Sequence, residues 1–341
     1  MSDHHGTLTG GLTIKHSSSA YSPRQITHWL SSISFPYPVS DDDIAQGRFP
    51  TTLENLTLIN RLFLVSVPYE NTMMHYSANH AMDINTESLY HRIAIERQGS
   101  YCFGLNIFFF QMLCGLGYRA YTGSARVNLT QDPLDAPVYT ALSHMIIFVQ
   151  PQSGKTTYLV DVGCGGSGPA RPILLSSQED NVVVGTTPTE QHRLTRGVRS
   201  DSRVARIEWR LNVRHVKDDG ARAHWRVVYA FSEEEFFAAD FESANFAVCY
   251  MPGGFFYDKV VASRHFWLDE DEACMTSDAR LVGRFGMEGA VIRRHVGNRT
   301  EVVRTVTTEA ERVEALGEFF GIDIPLEAVE YIHGRASALG T

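Results

Sequence analysis

The sequence predicts an α+β fold in three successive parts: a mainly helical stretch over 21–116, a sheet or barrel over 117–240, and mixed elements over 241–341. Three observations predict it. Apolar residues keep helical spacing in the first hundred positions. Beyond Gly117 they gather into short runs bounded by turn residues, and after 240 such runs alternate with one strongly capped helix. A chain of 341 residues has room for two or three domains and a substantial core.

Taking the elements in order, residues 1–20 carry Ser, Thr, Gly and His without an apolar core and read as a flexible tail. Ser22-Pro23 then forms a natural helix start, with Ser22 as N-cap ahead of Gln25-Ile26-Thr27-His28-Trp29-Leu30. A Pro- and Asp-rich loop leads to a helix over 51–63, whose apolar residues at 53, 56, 59, 62 and 63 share a face. Further helices are expected over 88–97 and 102–115. Strands follow over 119–127, 144–149, 157–162, 204–213 and 223–231, then 254–261, 290–295 and 300–306. The last helix, over 309–320, is capped by Thr307-Thr308 and ended by Gly321.

Thirty Lys plus Arg against 39 Asp plus Glu give a formal charge of −9, and no basic stripe interleaved with aromatics points to nucleic acid. No apolar run reaches the roughly 20 residues of a membrane-spanning helix, so no membrane partner is expected. The five cysteines, at 102, 114, 164, 249 and 274, form no Cys-x-x-Cys pair, and their odd number leaves at least one thiol free. A reducing, cytoplasmic setting is the expectation.

Cys102 carries the chemistry. A turn of small residues, Gln98-Gly99-Ser100, delivers its sulfur to the start of an apolar helical block, where unpaired N–H groups and the helix dipole favour a thiolate. Cys114 lies at the opposite end of that helix, where the dipole opposes a thiolate, and reads as packing. His144 precedes four apolar residues at the start of an expected core strand. Asp161 sits amid Tyr158-Leu159-Val160 and Val162, where a carboxylate is costly to bury without a partner, and an imidazolium would supply one. A turn over 150–155 would pair the two segments as a hairpin and bring the side chains together. The acid would then orient the imidazole, and the imidazole would take the thiol proton.

Gly163, Gly165, Gly166 and Gly168 follow the acid in quick succession. Two readings stay open: a backbone cradle for a phosphate or acyl carbonyl, or a loop that needs positive φ. No Gly-Lys-Ser/Thr follows, so the segment is not a P-loop. Metal binding by Cys102, His144 and Asp161 lacks the close ligand spacing of zinc sites, the His4-His5 pair is similarly weak, and no metal is expected.

The chain resembles the arylamine N-acetyltransferases, whose Arg-Gly-Gly-x-Cys turn, His-bearing strand and Val-Asp-Val-Gly-Phe-Gly segment occur in this order. Tyr21-Ser22-Pro23, Pro50-Thr51-Thr52-Leu53-Glu54, Val67-Pro68-Tyr69-Glu70-Asn71, Leu116-Gly117-Tyr118, Ala125-Arg126-Val127 and Phe319-Phe320-Gly321-Ile322 are similar to further family signposts. The resemblance implies a helical bundle carrying the cysteine, a central β-barrel carrying the histidine and aspartate, and a C-terminal α/β lid, with a cysteine-protease-like triad of Cys102, His144 and Asp161. It also implies ping-pong transfer of an acyl group from acetyl-CoA, or from propionyl- or malonyl-CoA, through a Cys102 thioester to an arylamine, arylhydrazine or N-hydroxyarylamine. Acyl-CoA is then a substrate, with no permanently bound cofactor, and Cys164, Gly165 and Gly166 are the substrate- or CoA-binding residues.

Four positions depart from the family pattern. Gln98-Gly99-Ser100 replaces Arg-Gly-Gly, Gly104 stands where Glu is frequent, and Cys164 replaces an aromatic that in the family borders the acceptor pocket. Glu70 would in the family lie near the missing arginine, and Arg97 or Gln98 would have to serve in its place. The departures keep open a malonyl-transferring or amide-synthase relative and a non-catalytic binding homologue. A cysteine peptidase shares the relay but not its signatures around the cysteine.

Overall fold

The computed structural model describes residues 6–152, 154–216, 223–268 and 282–340. Its helical part runs α1 (Pro23–Ser32), α2 (Asp41–Ala45), α3 (Leu53–Ser66), the two-residue strand β1 (Tyr69–Glu70), α4 (Thr86–Leu89) and α5 (Cys102–Gly115). Ser22 caps α1 as expected, accepting from Gln25 N–H while its own N–H donates to the Gln25 side chain. Thr52 caps α3 through Asn55 N–H at 3.2 Å. The helix expected over 88–97 begins earlier, as α4, and widens into a π-helical turn over Tyr90–Ile95. That turn ends where Arg97 adopts φ 61°.

Helix α5 is apolar on every side, so it must be covered on every side. Trp29 of α1 and Phe63 of α3 pack on Phe108 and Phe109, and all four rings are fully buried. Truncating any of these rings to Ala would cost about 3–5 kcal/mol.

Eight antiparallel strands form the central, nearly closed barrel sheet: β2 (Arg119–Asn128), β3 (Tyr139–Gln150), β4 (Tyr158–Val160), β5 (Ile173–Leu174), β6 (Val182–Val184), β7 (Glu190–Val198), β8 (Ile207–His215) and β9 (Arg226–Phe231). Their order is β5-β4-β3-β2-β9-β8-β7-β6. His144 was expected to open its strand and instead lies inside the twelve-residue β3. Residues 139–143 extend the strand past the core, partly exposed, and burial sets in at His144.

The C-terminal part adds α6 (Ala238–Tyr250), α7 (Phe255–Asp258), β10 (Val261–Trp267), β11 (Val282–Glu288), β12 (Val291–Val296), β13 (Arg299–Thr305) and α8 (Glu309–Ala315). Its sheet has the order β1-β10-β11-β12-β13, so the helical part contributes an edge strand to the lid. Asn71 fastens the same junction: its side chain accepts from Val261 N–H at 2.8 Å and donates to the carbonyls of Phe256 and Lys259. The strand expected over 254–261 is corrected to the single turn α7 followed by β10, because short apolar runs do not distinguish a helical turn from a strand.

The N-terminal segment read as a flexible tail is packed from Gly6 onward. Leu8 and Ile14 are buried against the barrel core, Gly6 N–H donates to the Leu175 carbonyl, and Ile14 N–H donates to the Gln150 side chain at 2.9 Å. Two isolated apolar residues among Ser, Thr and Gly carry no periodicity, which hid the packing. His4, His5 and Cys274 lie outside the described residues.

Candidate active site

Cys102 is the first residue of α5. The preceding Tyr101 makes no side-chain capping hydrogen bond to the first-turn N–H groups. The sulfur lies 3.7 Å from the Ser143 carbonyl on β3, next to His144. The β3–β4 pairing sets Ile147 opposite Val160 and Phe148 opposite Leu159. Continued past β4, that register places Asp161 opposite Ile146, on the same face as His144 and diagonal to it. An imidazole spans the diagonal, and His144 Nε2 lies 2.7 Å from Asp161 Oδ2.

Cys102, His144 and Asp161 are all buried, with exposures of 3%, 4% and 2%. Burial alone would pull the His144 pKa down. The Asp161 charge and hydrogen bond, with a further contribution from Cys102, outweigh it and raise the value to about 10. Burial pushes Asp161 up, and the His144 charge, its hydrogen bond and the donors of Asn106 and Gly163 hold it below the usual carboxylate range. The pair is therefore an imidazolium and a carboxylate at neutral pH. Because Nε2 is committed to Asp161, Nδ1 is the nitrogen left for the Cys102 sulfur.

Asn106 was not singled out from the sequence. It lies one turn after Cys102 and is fully buried; its Nδ2 donates to Asp161 Oδ1 at 3.0 Å and to the Met145 carbonyl at 2.7 Å, while its Oδ1 accepts from Val162 N–H at 3.0 Å. It thus ties α5 to both segments that carry the histidine and the acid. The available signal was a lone amide in the otherwise apolar run Phe103-Gly104-Leu105-Asn106-Ile107-Phe108, where an unpaired side chain would be costly. Tyr229 was missed too. Its ring centroid lies 5.0 Å from that of His144, and β9 is remote in sequence from every motif.

Of the glycines after Asp161, Gly165 meets the positive-φ reading, while Gly163 is required for a reason that neither reading named. Gly165 has φ 64°, which favours glycine. Gly163 has no such need, but a Cβ there would stand 2.7 Å from Cys102 Cα and 2.8 Å from Asn106 Nδ2. The loop can lie on the first turn of α5 only with glycine at that position. Cys164 and Gly165 line a small cavity together with Tyr69, Asp161, Ser263 and His265. Gly166 is outside that lining and gives its carbonyl to Arg284 instead.

The departures around the cysteine are resolved by a residue the sequence reading did not consider. Arg97 turns away and donates to the Ser32 carbonyl at 2.7 Å. Glu70, fully buried, is paired by Arg92 at 2.6 Å, and the Arg92 Nε donates to the Gly99 carbonyl at 2.6 Å. Gly104 and Ser100 are matched, since a Cβ on Gly104 would stand 2.1 Å from the Ser100 hydroxyl oxygen.

Among the described residues, His144, Asp161 and Cys164 are the group whose ligand atoms lie close enough, within 4.8 Å of one another, to hold a metal ion. Both Asp161 oxygens and His144 Nε2 already take part in hydrogen bonds, which an ion would have to break. Cys114 is buried and its thiol is pushed up to about 12, in keeping with packing.

A family model described as N-acetyltransferase matches residues 52–329. The chain is 25% identical over 324 residues to N-malonyltransferase FDB2 of Gibberella moniliformis, covering 90% of each chain. It is 28% identical over 259 residues to arylamine N-acetyltransferase of Mycolicibacterium smegmatis, covering 76% of this chain and 81% of that one. The fold matches that of the Mycobacterium abscessus arylamine N-acetyltransferase with a TM-score of 0.70 at 19% identity, covering 93% of this chain and 97% of the other. It also matches the Mycobacterium marinum enzyme in complex with CoA with a TM-score of 0.66 at 23% identity, covering 92% and 96%. The chain is an acyltransferase and belongs to the arylamine N-acetyltransferase family.

Proposed function

We propose that this acyltransferase works through a Cys102 thioester, taking a short acyl group from acyl-CoA and passing it to the nitrogen, or the N-hydroxyl oxygen, of an arylamine or arylhydrazine. The observation that carries the reading is the buried His144–Asp161 pair, 2.7 Å apart, beside a cysteine at the uncapped start of α5.

In the first half-reaction the Cys102 sulfur attacks the thioester carbonyl. A carbon–sulfur bond to Cys102 forms, the bond to the CoA sulfur breaks, and the His144 imidazolium gives its proton to the leaving thiolate. First-turn N–H groups of α5 are suited to stabilise the developing oxyanion. In the second half-reaction the acceptor nitrogen attacks the acyl-Cys102 carbonyl, its proton passes to His144, and Cys102 departs as thiolate. Asp161 keeps the ring oriented throughout and stabilises its charged form before acylation and after deacylation, and Asn106 keeps Asp161 in place.

A second reading, malonyl transfer, is favoured by the malonyltransferase relative that matches over 90% of the chain. Incubation with acetyl-, propionyl- and malonyl-CoA, without acceptor and with intact-protein mass spectrometry, tests both readings. An acyl adduct absent from Cys102→Ala and discharged by an arylamine is expected. Absence of an adduct with every donor would overturn the Cys102 thioester reading.

A further inference from the structure

Strand β1 is two residues long and is held on both sides. Tyr69 pairs antiparallel with Ser263 of β10 and forms a parallel bridge to Ser100, two residues before Cys102. Glu70 N–H donates to the Ser100 carbonyl at 2.9 Å. Successive side chains on a strand leave on opposite faces, so Glu70 and Tyr69 meet different surroundings. Glu70 takes Arg92. Tyr69 packs on the apolar cluster that contains Tyr101, Cys102 and Phe103, with its ring centroid 6.4 Å from that of Phe256. An added Cβ on Gly165 would meet the Tyr69 ring at 3.3 Å, and Tyr69 shares its cavity lining with Asp161 and Cys164. The ring therefore lies between the cysteine, the loop after Asp161 and the lid.

Its hydroxyl is left over. Tyr21, Tyr76, Tyr118 and Tyr121 each hydrogen-bond through theirs, whereas that of Tyr69 has no partner among the described residues. Nor is it sealed in, as the partnerless hydroxyls of Tyr139 and Tyr229 are.

Burial, and then the charges of Cys102, Cys164, Asp161 and Glu70, hold the phenol well above its ordinary range and so keep it protonated. All four charges are negative. The place therefore disfavours an anion and suits a group that offers hydrogens or gains positive charge. An amine nitrogen attacking an acyl carbon does both, because it turns cationic as the new bond forms and its N–H groups become stronger donors.

We infer that the Tyr69 hydroxyl oxygen accepts one N–H of the attacking arylamine and so orients its lone pair toward the acyl carbon on Cys102. The inference rests on the acyl-Cys102 reading and deepens its second half-reaction. A primary amine has two hydrogens for two partners. One leaves as a proton to His144 while the carbon–nitrogen bond forms and the bond to the Cys102 sulfur breaks. The other stays on nitrogen, held by Tyr69, and remains in the product amide. The thiol of CoA, which discharges the same acyl group when the first half-reaction runs in reverse, has no N–H to offer the phenol.

The test compares two discharges of one acyl-enzyme. Cys102 is loaded from acetyl- or malonyl-CoA, freed of CoA, and mixed in single turnover with aniline or with CoA. Tyr69→Phe keeps the ring and removes only the hydroxyl. It should slow discharge by aniline about tenfold relative to discharge by CoA, the equivalent of one hydrogen bond. Equal slowing of both, or slowing of neither, overturns the inference. Wild type should also discharge faster to aniline than to N-methylaniline, whose single N–H is needed by His144, and Tyr69→Phe should narrow that preference. A wild type that treats the two amines alike overturns the inference without any variant. If neither donor loads Cys102, the thioester reading falls instead.

Discussion

Arg92 joins Glu70 at 2.6 Å and, through its Nε, the Gly99 carbonyl at 2.6 Å, so one guanidinium holds both the Pro-Tyr-Glu-Asn segment and the turn that leads into Cys102. The turn is supported from the preceding helical segment rather than from within itself. Arg92→Met leaves the fully buried Glu70 carboxylate unpaired and is expected to lower stability by about 3 kcal/mol. Adding Glu70→Gln should recover a measurable part of the melting temperature. If Arg92→Met melts as wild type does, the pair does not hold the turn.

Asp161 is the reason His144 stays charged. In Asp161→Asn burial acts without its main counterweight, leaving only the smaller contribution of Cys102, and the ring should titrate well below the value near 10. Histidine NMR across pH reads this directly. A His144 titration that stays near 10 in the variant would mean another group supplies the charge.

The same pair makes stability depend on pH, and its two members act in opposite directions. His144 is raised, so its contribution is fully present below 6.5 and lost as pH climbs through about 10. Asp161 is lowered, so its contribution is present above the ordinary carboxylate range and lost as pH falls through its lowered value. The melting-temperature advantage of wild type over His144→Gln should therefore be largest at pH 5–6 and shrink steadily toward pH 10. A difference flat across that range would contradict the assignment.

Asn106 is a positioning residue, which gives its removal a particular signature. Asn106→Ala should slow acylation about tenfold to a hundredfold, the equivalent of one or two buried hydrogen bonds, with KM for acyl-CoA little changed. The His144 titration should shift downward in the same variant. Slower acylation with an unmoved titration would assign Asn106 to packing alone.

Two neighbours of Cys102 test how tightly the loop is fitted. Gly163→Ala places a methyl 2.7 Å from Cys102 Cα and should destabilise by about 1–3 kcal/mol. Cys164→Phe should fill the cavity that Cys164 lines and lower catalytic efficiency for bulky arylamines more than for small ones. An unchanged ratio of the two efficiencies would remove Cys164 from the acceptor pocket.

Much of the α+β architecture was legible because it rests on local rules. The Ser22 cap of α1, the helical spacing of α3, and α5 from Cys102 to Gly115 follow from neighbours in the chain. Helix α6 was hidden because it touches the body mainly through Phe241 and Cys249 and leaves Phe246 exposed, which erases the amphipathic period. Strand β11 was hidden by Gly283, which reads as a breaker but is needed there, since a Cβ would stand 2.4 Å from the Phe266 ring.

By itself the sequence determined the order of helical, sheet and mixed parts and singled out Cys102, His144 and Asp161, because capping, periodicity and an acid stranded among apolar residues are written in adjacent positions. Only the tertiary structure decided that Arg92, rather than Arg97 or Gln98, pairs with Glu70; that Asn106 braces Asp161; and that Ser263 on a distant strand shares a cavity with Cys164. Those relations depend on strand register and on how closely the chain can approach itself around a buried charge, and residues far apart in sequence carry no local sign of either.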